Sequence, residues 1–195
     1  MPDFTKPLVL IIDVQNVYRI GQPWACETID GCIRNMETLL KTVPADDVLF
    51  TKYAAPERPE GVWKAYNEKY QAINDDPWMN EIVDELKPYL DGRKVIEKST
   101  YSSYLSKEVQ EALSGRTVAV LSGVVAECCV LSTLMSLIDA GIYAVYLTDA
   151  VSGLDRKLEA ETIDILKGLS PLHVSFMTTK EFLKKMKASS KGKKE

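Results

Sequence analysis

The chain has 195 residues, 46% hydrophobic and 27% charged, with a net charge of −4. That length and balance suit one soluble globular domain, and they exclude a nucleic-acid binder held by a strongly basic surface. No apolar run reaches the roughly 18 to 20 residues that span a bilayer. The opening Met1-Pro2-Asp3-Phe4-Thr5-Lys6 carries an acid ahead of a short apolar run and reads as neither a signal nor a transit peptide. Four cysteines, two of them adjacent, are too sparse for a disulfide scaffold, so a reducing cytoplasmic setting is expected. The single histidine, His173, leaves no His-rich zinc site, and any Ser-His or Cys-His dyad would need that residue.

In chain order, Leu8 to Ile12 is a β-rich apolar run that reads as a buried strand ending at Asp13. A helix is expected from about Glu27 to Leu40, with Ile29, Cys32, Ile33, Met36 and Leu40 on one side. Asp47 to Thr51 is a second strand. Residues 52–75 have no long apolar period and read as a long functional loop. Asp76 before Pro77 signals a helix running to about Leu90. Lys94 to Glu97 is a third strand, followed by a helix near Tyr104 to Leu113. Thr117 to Leu121 is the fourth, closed by Ser122-Gly123, with a helix over about Glu127 to Ala140 that ends at Gly141. Ile142 to Leu147 is the fifth strand, followed by a helix at about Lys157 to Leu166. Leu172 to Phe176 is the sixth, with His173 expected to be packed within it. Thr179 caps a last helix from about Lys180. The domain is expected over residues 1–188, with 189–195 as a basic, flexible tail.

Six alternations of strand and helix predict a three-layer αβα fold around a mostly parallel, doubly wound six-stranded sheet. Such sheets bind ligands beyond the carboxyl ends of their strands. Asp13 ends strand one, Lys98 follows strand three, and Cys129 opens the helix after strand four. An acid, a base and a thiol thus share one sheet edge. A thiol near a helix N-terminus and a lysine is biased toward thiolate, and a carboxylate can take its proton and pass it to a leaving amine. Backbone N–H groups of the turn before the helix are positioned for an oxyanion. Helical phase does not choose between Cys128 and Cys129, only ~100° apart.

These residues carry a resemblance. Asp13-Val14-Gln15-Asn16, Lys98-Ser99-Thr100-Tyr101-Ser102-Ser103-Tyr104 and Gly123-Val124-Val125-Ala126-Glu127-Cys128-Cys129-Val130 resemble, in order, the motifs of the isochorismatase-like cysteine hydrolases, which include nicotinamidases, N-carbamoylsarcosine amidases and isochorismatases. The segments Tyr146 to Ala150 and Met177 to Leu183 also fit. The resemblance implies Cys129 as nucleophile, Asp13 as general acid/base and Lys98 as the residue polarising the thiol. It implies a cis bond between Val124 and Val125, with the Val125 and Cys129 N–H groups as oxyanion donors. Cys128 then reads as a packing residue, and Cys26 and Cys32 as structural.

The chain departs from the nicotinamidases in having no histidine over Thr51 to Arg58, so no catalytic metal or cofactor is expected. It also carries Ala126 and Val17 where the family often has a threonine and an aspartate. Pocket candidates are Trp24, Tyr53, Trp63, Tyr101 and Tyr104, which would stack on a flat substrate or close the pocket against water. Lys52 and Arg58 are candidates to bind a substrate carboxylate. The implied activity is hydrolysis of a small molecule's amide, ureido or carbamoyl C–N bond through a thioester. The alternatives are isochorismatase-type vinyl-ether cleavage and a non-catalytic member of the fold. A homo-oligomer is expected, and the helix face of Val130, Leu134, Leu137 and Ile138 serves either core or interface.

Overall fold

A computed structural model describes residues 2–191. Six strands form one sheet: β1 (Leu8–Ile12), β2 (Val48–Tyr53), β3 (Lys94–Lys98), β4 (Val118–Val124), β5 (Tyr143–Ser152) and β6 (Val174–Met177). Every pairing is parallel, in the order β3-β2-β1-β4-β5-β6. The chain therefore reverses direction of winding between β1 and β4, where such sheets open a crevice.

β1 is buried on both sides, and its alternation assigns its residues to two cores. Val9 and Ile11 pack with α1 (Ile29–Leu40) and with Phe182 and Leu183 of the last helix. Leu8, Leu10 and Ile12 pack on the other face. There they meet Val109 and Leu113 of a helix over Lys107–Leu113, Leu134 and Leu137 of one over Leu131–Asp139, and Leu166 of one over Arg156–Lys167. Val130, Leu134 and Leu137 are fully buried there and Ile138 packs against them, so that helix face belongs to the core.

Between β2 and β3 two expectations change. Residues 52–75 are not all loop: they hold α2 (Val62–Lys69) and α3 (Gln71–Asn74). The period of α2 is aromatic rather than aliphatic, with Trp63, Tyr66 and Tyr70 at i, i+3 and i+7. Conversely, residues 77–90 form no α-helix, only a short turn of 3₁₀-helix at Lys87–Tyr89. The Asp76 carboxylate does accept the Met79 N–H (3.0 Å). The following backbone is then taken by the loop after β1. The Asn16 N–H donates to the Glu81 carbonyl (2.9 Å), Val17 to Met79 (3.1 Å), and Val83 to Val14 (3.1 Å). Those bonds compete with an intrahelical ladder and win.

The remaining helices are α4 (Lys107–Leu113), α5 (Leu131–Asp139), α6 (Arg156–Lys167) and α7 (Thr179–Lys191). α6 starts on Asp155, whose carboxylate accepts the Leu158 N–H (2.8 Å). α7 continues to Lys191, so the segment read as a flexible tail is helical as far as that residue. The rest of the tail, residues 192–195, lies outside the described residues. β6 begins at Val174, later than expected. His173 sits exposed in the preceding turn rather than packed in a strand. Its backbone, not its ring, carries the structural role, through Leu169 (3.0 Å) and Ala144 (2.9 Å).

Gly123, at the end of β4, has φ 110°, and a Cβ there would lie 2.1 Å from the Ile12 carbonyl oxygen. Backbone of β1 cannot yield to it. Gly123→Ala is expected to destabilise the fold by more than about 3 kcal/mol, read as a lower urea midpoint at unchanged slope. A loss below 1 kcal/mol, an order-of-magnitude threshold, would contradict this close approach.

Candidate active site

The carboxyl ends of β1, β3 and β4 bring three side chains together. Asp13 turns the chain out of β1 with φ 54°, a left-handed conformation that aspartate tolerates better than most residues. Its N–H donates to the Thr51 carbonyl (3.0 Å), and the Thr51 hydroxyl donates to Asp13 Oδ1 (2.8 Å). Lys98, the last residue of β3, places Nζ 2.6 Å from Asp13 Oδ2 and 3.6 Å from Cys129 Sγ, and donates to the Thr100 carbonyl (2.8 Å). The Asp13 side chain is fully buried and that of Lys98 is 3% exposed.

Cys129 lies in a single π-helical stretch, Ala126–Val130, between β4 and α5. π-turns of this kind recur at functional sites because they re-aim one residue out of an α-helical path. The Val124–Val125 peptide is cis. The Cys128 and Val130 N–H groups both donate to the Val125 carbonyl (3.1 Å each). Thr133 fixes the other side of the turn, its hydroxyl donating to the Cys129 carbonyl (2.7 Å) and accepting the Ser103 N–H (2.9 Å).

The electrostatics differ from the sequence expectation in one respect. Burial pushes the Cys129 thiol well above its ordinary pKa, the Asp13 carboxylate adds to the shift, and Lys98 opposes it. Desolvation and a buried anion thus outweigh the lysine and work against the thiolate that the helix-end position favours. Burial also disfavours the Lys98 ammonium, but Asp13 and Cys129 together outweigh that and raise its pKa. Asp13 and Lys98 thus form a buried ion pair directly beside the Cys129 sulfur.

Above it lies a cavity of about 180 Å³ lined by Tyr18, Trp24, Tyr53, Tyr66, Tyr70 and Tyr101, with Val125, Cys128, Cys129 and Leu154 completing the wall. Gln15 sets Tyr53: its amide donates to the Tyr53 carbonyl (2.9 Å) and accepts the Tyr53 N–H (2.8 Å), extending the β1–β2 hydrogen bonding by one residue. The Tyr53 hydroxyl donates to Asn67 of α2 (3.1 Å). Leu154 is set by two carboxylates. Glu127 accepts its N–H (3.2 Å) and Glu159 accepts that of Gly153 (2.9 Å). A Cβ at Gly153 would lie 2.7 Å from Glu127 Oε2. A larger groove of about 810 Å³, between α1 and α7, contains no thiol.

Trp24, Tyr53 and Tyr101 thus line the cavity, and Trp63 stacks behind it on Tyr66 and Tyr101 (5.3 and 5.0 Å between ring centroids). Tyr104 does not: it packs against the α4–α5 core. Lys52 points away and pairs with Glu97 (2.8 Å), because alternation along β2 sends it to the face opposite Tyr53's end of the cavity. Arg58 is exposed and outside the lining. Tyr18, Tyr66, Tyr70 and Leu154 were not singled out from sequence. The aromatic period of α2 signals two of them, and position just after β1 and β5 signals the others. Cys128 lines the cavity beside Cys129, while Lys98 contacts Cys129. Cys26 and Cys32 are free and buried, with burial pushing the Cys32 thiol up to about 12. Ala126 and Val17, at the two departures from the family pattern, are fully buried among apolar side chains.

Nicotinamidase-type metal binding needs imidazole and carboxylate ligands beside the pocket. The cavity lining has neither, so the residues present do not fit such a metal.

An all-parallel sheet with helices on both faces places the molecule in the αβα class, with a buried Asp–Lys pair against a cysteine at the carboxyl edge of its strands. The sequence matches the isochorismatase domain family over residues 7–181, and the chain belongs to that family, whose members are hydrolases. The fold is similar to a cysteine hydrolase from Pseudomonas syringae pv. phaseolicola 1448A (15% identity, 95% of this chain and 94% of that one, TM-score 0.78). It is also similar to a pyrazinamidase/nicotinamidase from Streptococcus mutans UA159 (14%, 88% and 99%, TM-score 0.71). A third relative in structure is the YcaC gene product of Escherichia coli, described as an octameric hydrolase of unknown specificity (18%, 95% and 81%, TM-score 0.70). No curated protein sequence matches the chain. Among the described residues, no helix is long and apolar enough to cross a membrane.

Proposed function

We propose that this chain is a cytoplasmic cysteine hydrolase that cleaves an amide, ureido or carbamoyl C–N bond of a compact small molecule. The observation that carries the reading is the position of Lys98 Nζ, 2.6 Å from Asp13 and 3.6 Å from the Cys129 sulfur, beneath an apolar cavity. Cys129 attacks the substrate carbonyl while Asp13 takes the thiol proton. The thiol need not ionise beforehand, which suits its raised pKa. Lys98 stabilises the charge that passes between sulfur and carboxylate. The Val125 and Cys129 N–H groups receive the oxyanion, since the Cys128 N–H is already spent on Val125. Asp13 then returns its proton to the leaving nitrogen. Ammonia or an amine departs, and a thioester remains. Asp13 next takes a proton from water, the hydroxide opens the thioester, and the proton returns to sulfur as the acid leaves.

Vinyl-ether cleavage of the isochorismatase type is less well supported. Acid-catalysed cleavage of a vinyl ether needs no thiol, whereas here Cys129 lies against the Asp13–Lys98 pair. A panel of primary amides, ureas and N-carbamoyl compounds, scored by ammonia release, tests the reading. Turnover of at least one neutral or cationic member is expected. Silence throughout, together with turnover of a vinyl ether by a Cys129→Ala variant, would reverse it. We also propose a homo-oligomer, by likeness to the octameric relative in structure, to be read by light scattering in solution.

A further inference from the structure

We propose that the substrate presents a quaternary or tertiary alkylammonium group to the aromatic chamber, as the amide of a small betaine-like acid. This inference rests on the C–N hydrolase reading and names the chemistry of its acyl group.

Six rings line the cavity, and no cationic side chain joins them. The one buried cation below, Lys98, is neutralised by Asp13 at 2.6 Å, so a positive ligand meets no net opposing charge. The rings stand as walls rather than as a slot. Trp24 and Tyr53 meet at 67° with centroids 6.4 Å apart, Tyr53 and Tyr66 at 78° and 6.3 Å, and Tyr66 and Tyr101 at 86° and 6.5 Å. These are edge-to-face contacts, so they leave no parallel slot between them, and a cation over any one exposed face is attracted within about 6 Å of its centroid. A flat neutral ring would want a pair of parallel faces. The smallest interplanar angle between contacting rings of the lining is 39°, between Tyr18 and Trp24. A rounded cation fits this geometry better than a disc. Tyr70 of the same cluster already has the Lys69 ammonium 5.0 Å from its centroid. Burial holds the Tyr18, Tyr53, Tyr66 and Tyr101 hydroxyls protonated, so the rings attract through their faces and not as phenolates.

An isosteric pair of probes isolates the charge: trimethylglycinamide, and 3,3-dimethylbutanamide, in which carbon replaces the ammonium nitrogen. Calorimetric titration into Cys129→Ala measures binding without turnover. The cation is expected to bind at least about tenfold more tightly than its isostere. Tyr66→Leu should erase most of that preference, whereas Tyr66→Phe should keep it; Tyr101→Leu, at the half-exposed rim, serves if Tyr66→Leu does not fold. Equal or tighter binding of the neutral isostere, binding of neither, or an undiminished preference in both leucine variants would overturn the proposal. Ammonia release by the unaltered enzyme separates the two readings. Tight cation binding without hydrolysis of either amide, with the amide, urea and N-carbamoyl panel silent as well, would remove the C–N hydrolase reading and keep the cage. Hydrolysis of both amides without cation preference would do the reverse.

Discussion

Cys129→Ala is expected to lower kcat for the best amide substrate by about 10⁴-fold or more, because the other thiol of the cavity lining, Cys128, lacks the contact with Lys98 that Cys129 has. Binding should survive, since the aromatic walls are untouched. The structural cost should be small, on the order of 1 kcal/mol for a buried side chain shortened by one atom. Cys128→Ala is the matched control. Cys128 shares the cavity, but its thiol is pushed up by burial and by Glu127, and the lysine contact belongs to Cys129. Activity should therefore follow residue 129 and not residue 128. The measurement is ammonia release by both variants beside their urea midpoints. Activity retained by Cys129→Ala, or lost only in Cys128→Ala, would dismiss the assigned nucleophile.

The second large effect is on stability. Asp13→Asn removes the counter-charge of Lys98, whose side chain is 3% exposed, and leaves an ammonium in the interior. Breaking a buried pair in this way costs about 3–5 kcal/mol. The double variant Asp13→Asn/Lys98→Met removes the stranded charge and should recover most of that loss, although neither variant should hydrolyse substrate. Denaturant titration of the single and double variants reads the coupling directly. A loss below about 1 kcal/mol for Asp13→Asn would mean that the pair is not desolvated as described. The pH dependence has a definite sign. The folded protein holds the Lys98 proton more tightly than the unfolded chain does. Its contribution is complete below about pH 10.5, the unfolded value, and is lost as pH rises through the higher folded value. Unaltered protein should therefore lose this share of stability in strong alkali, and the double variant should have none of it to lose.

Much of the fold was legible because its signals are local. Leu8 to Ile12 reads as a strand from five consecutive apolar residues, and α1 reads as a helix from Ile29, Cys32, Ile33 and Met36 at helical spacing. Asp13, Lys98 and Cys129 stood out because a parallel sheet collects strand-end residues on one edge, whatever their separation in sequence. Where the reading departed, a non-local contact overrode a local signal. Residues 77–90 carry a helix start at Asp76-Pro77, yet their backbone bonds to Asn16, Val17 and Val14. His173 sits among apolar neighbours in sequence, but the chain turns there before β6 begins.

The sequence by itself determined the layered α/β architecture, the family and the three residues at the sheet edge, since periodicity and motif order need no knowledge of packing. Only the tertiary structure decided how deeply those residues are buried and what they face. The protonation of Cys129 depends on desolvation and on a carboxylate more than a hundred positions away in sequence. The aromatic chamber is assembled from the loop after β1, the end of β2, α2 and the segment after β3, so no single stretch of chain encodes it. Lys52 and Arg58, neighbours of Tyr53 in sequence, are excluded from that chamber by strand alternation and by exposure. Their exclusion leaves the cavity aromatic and free of positive charge.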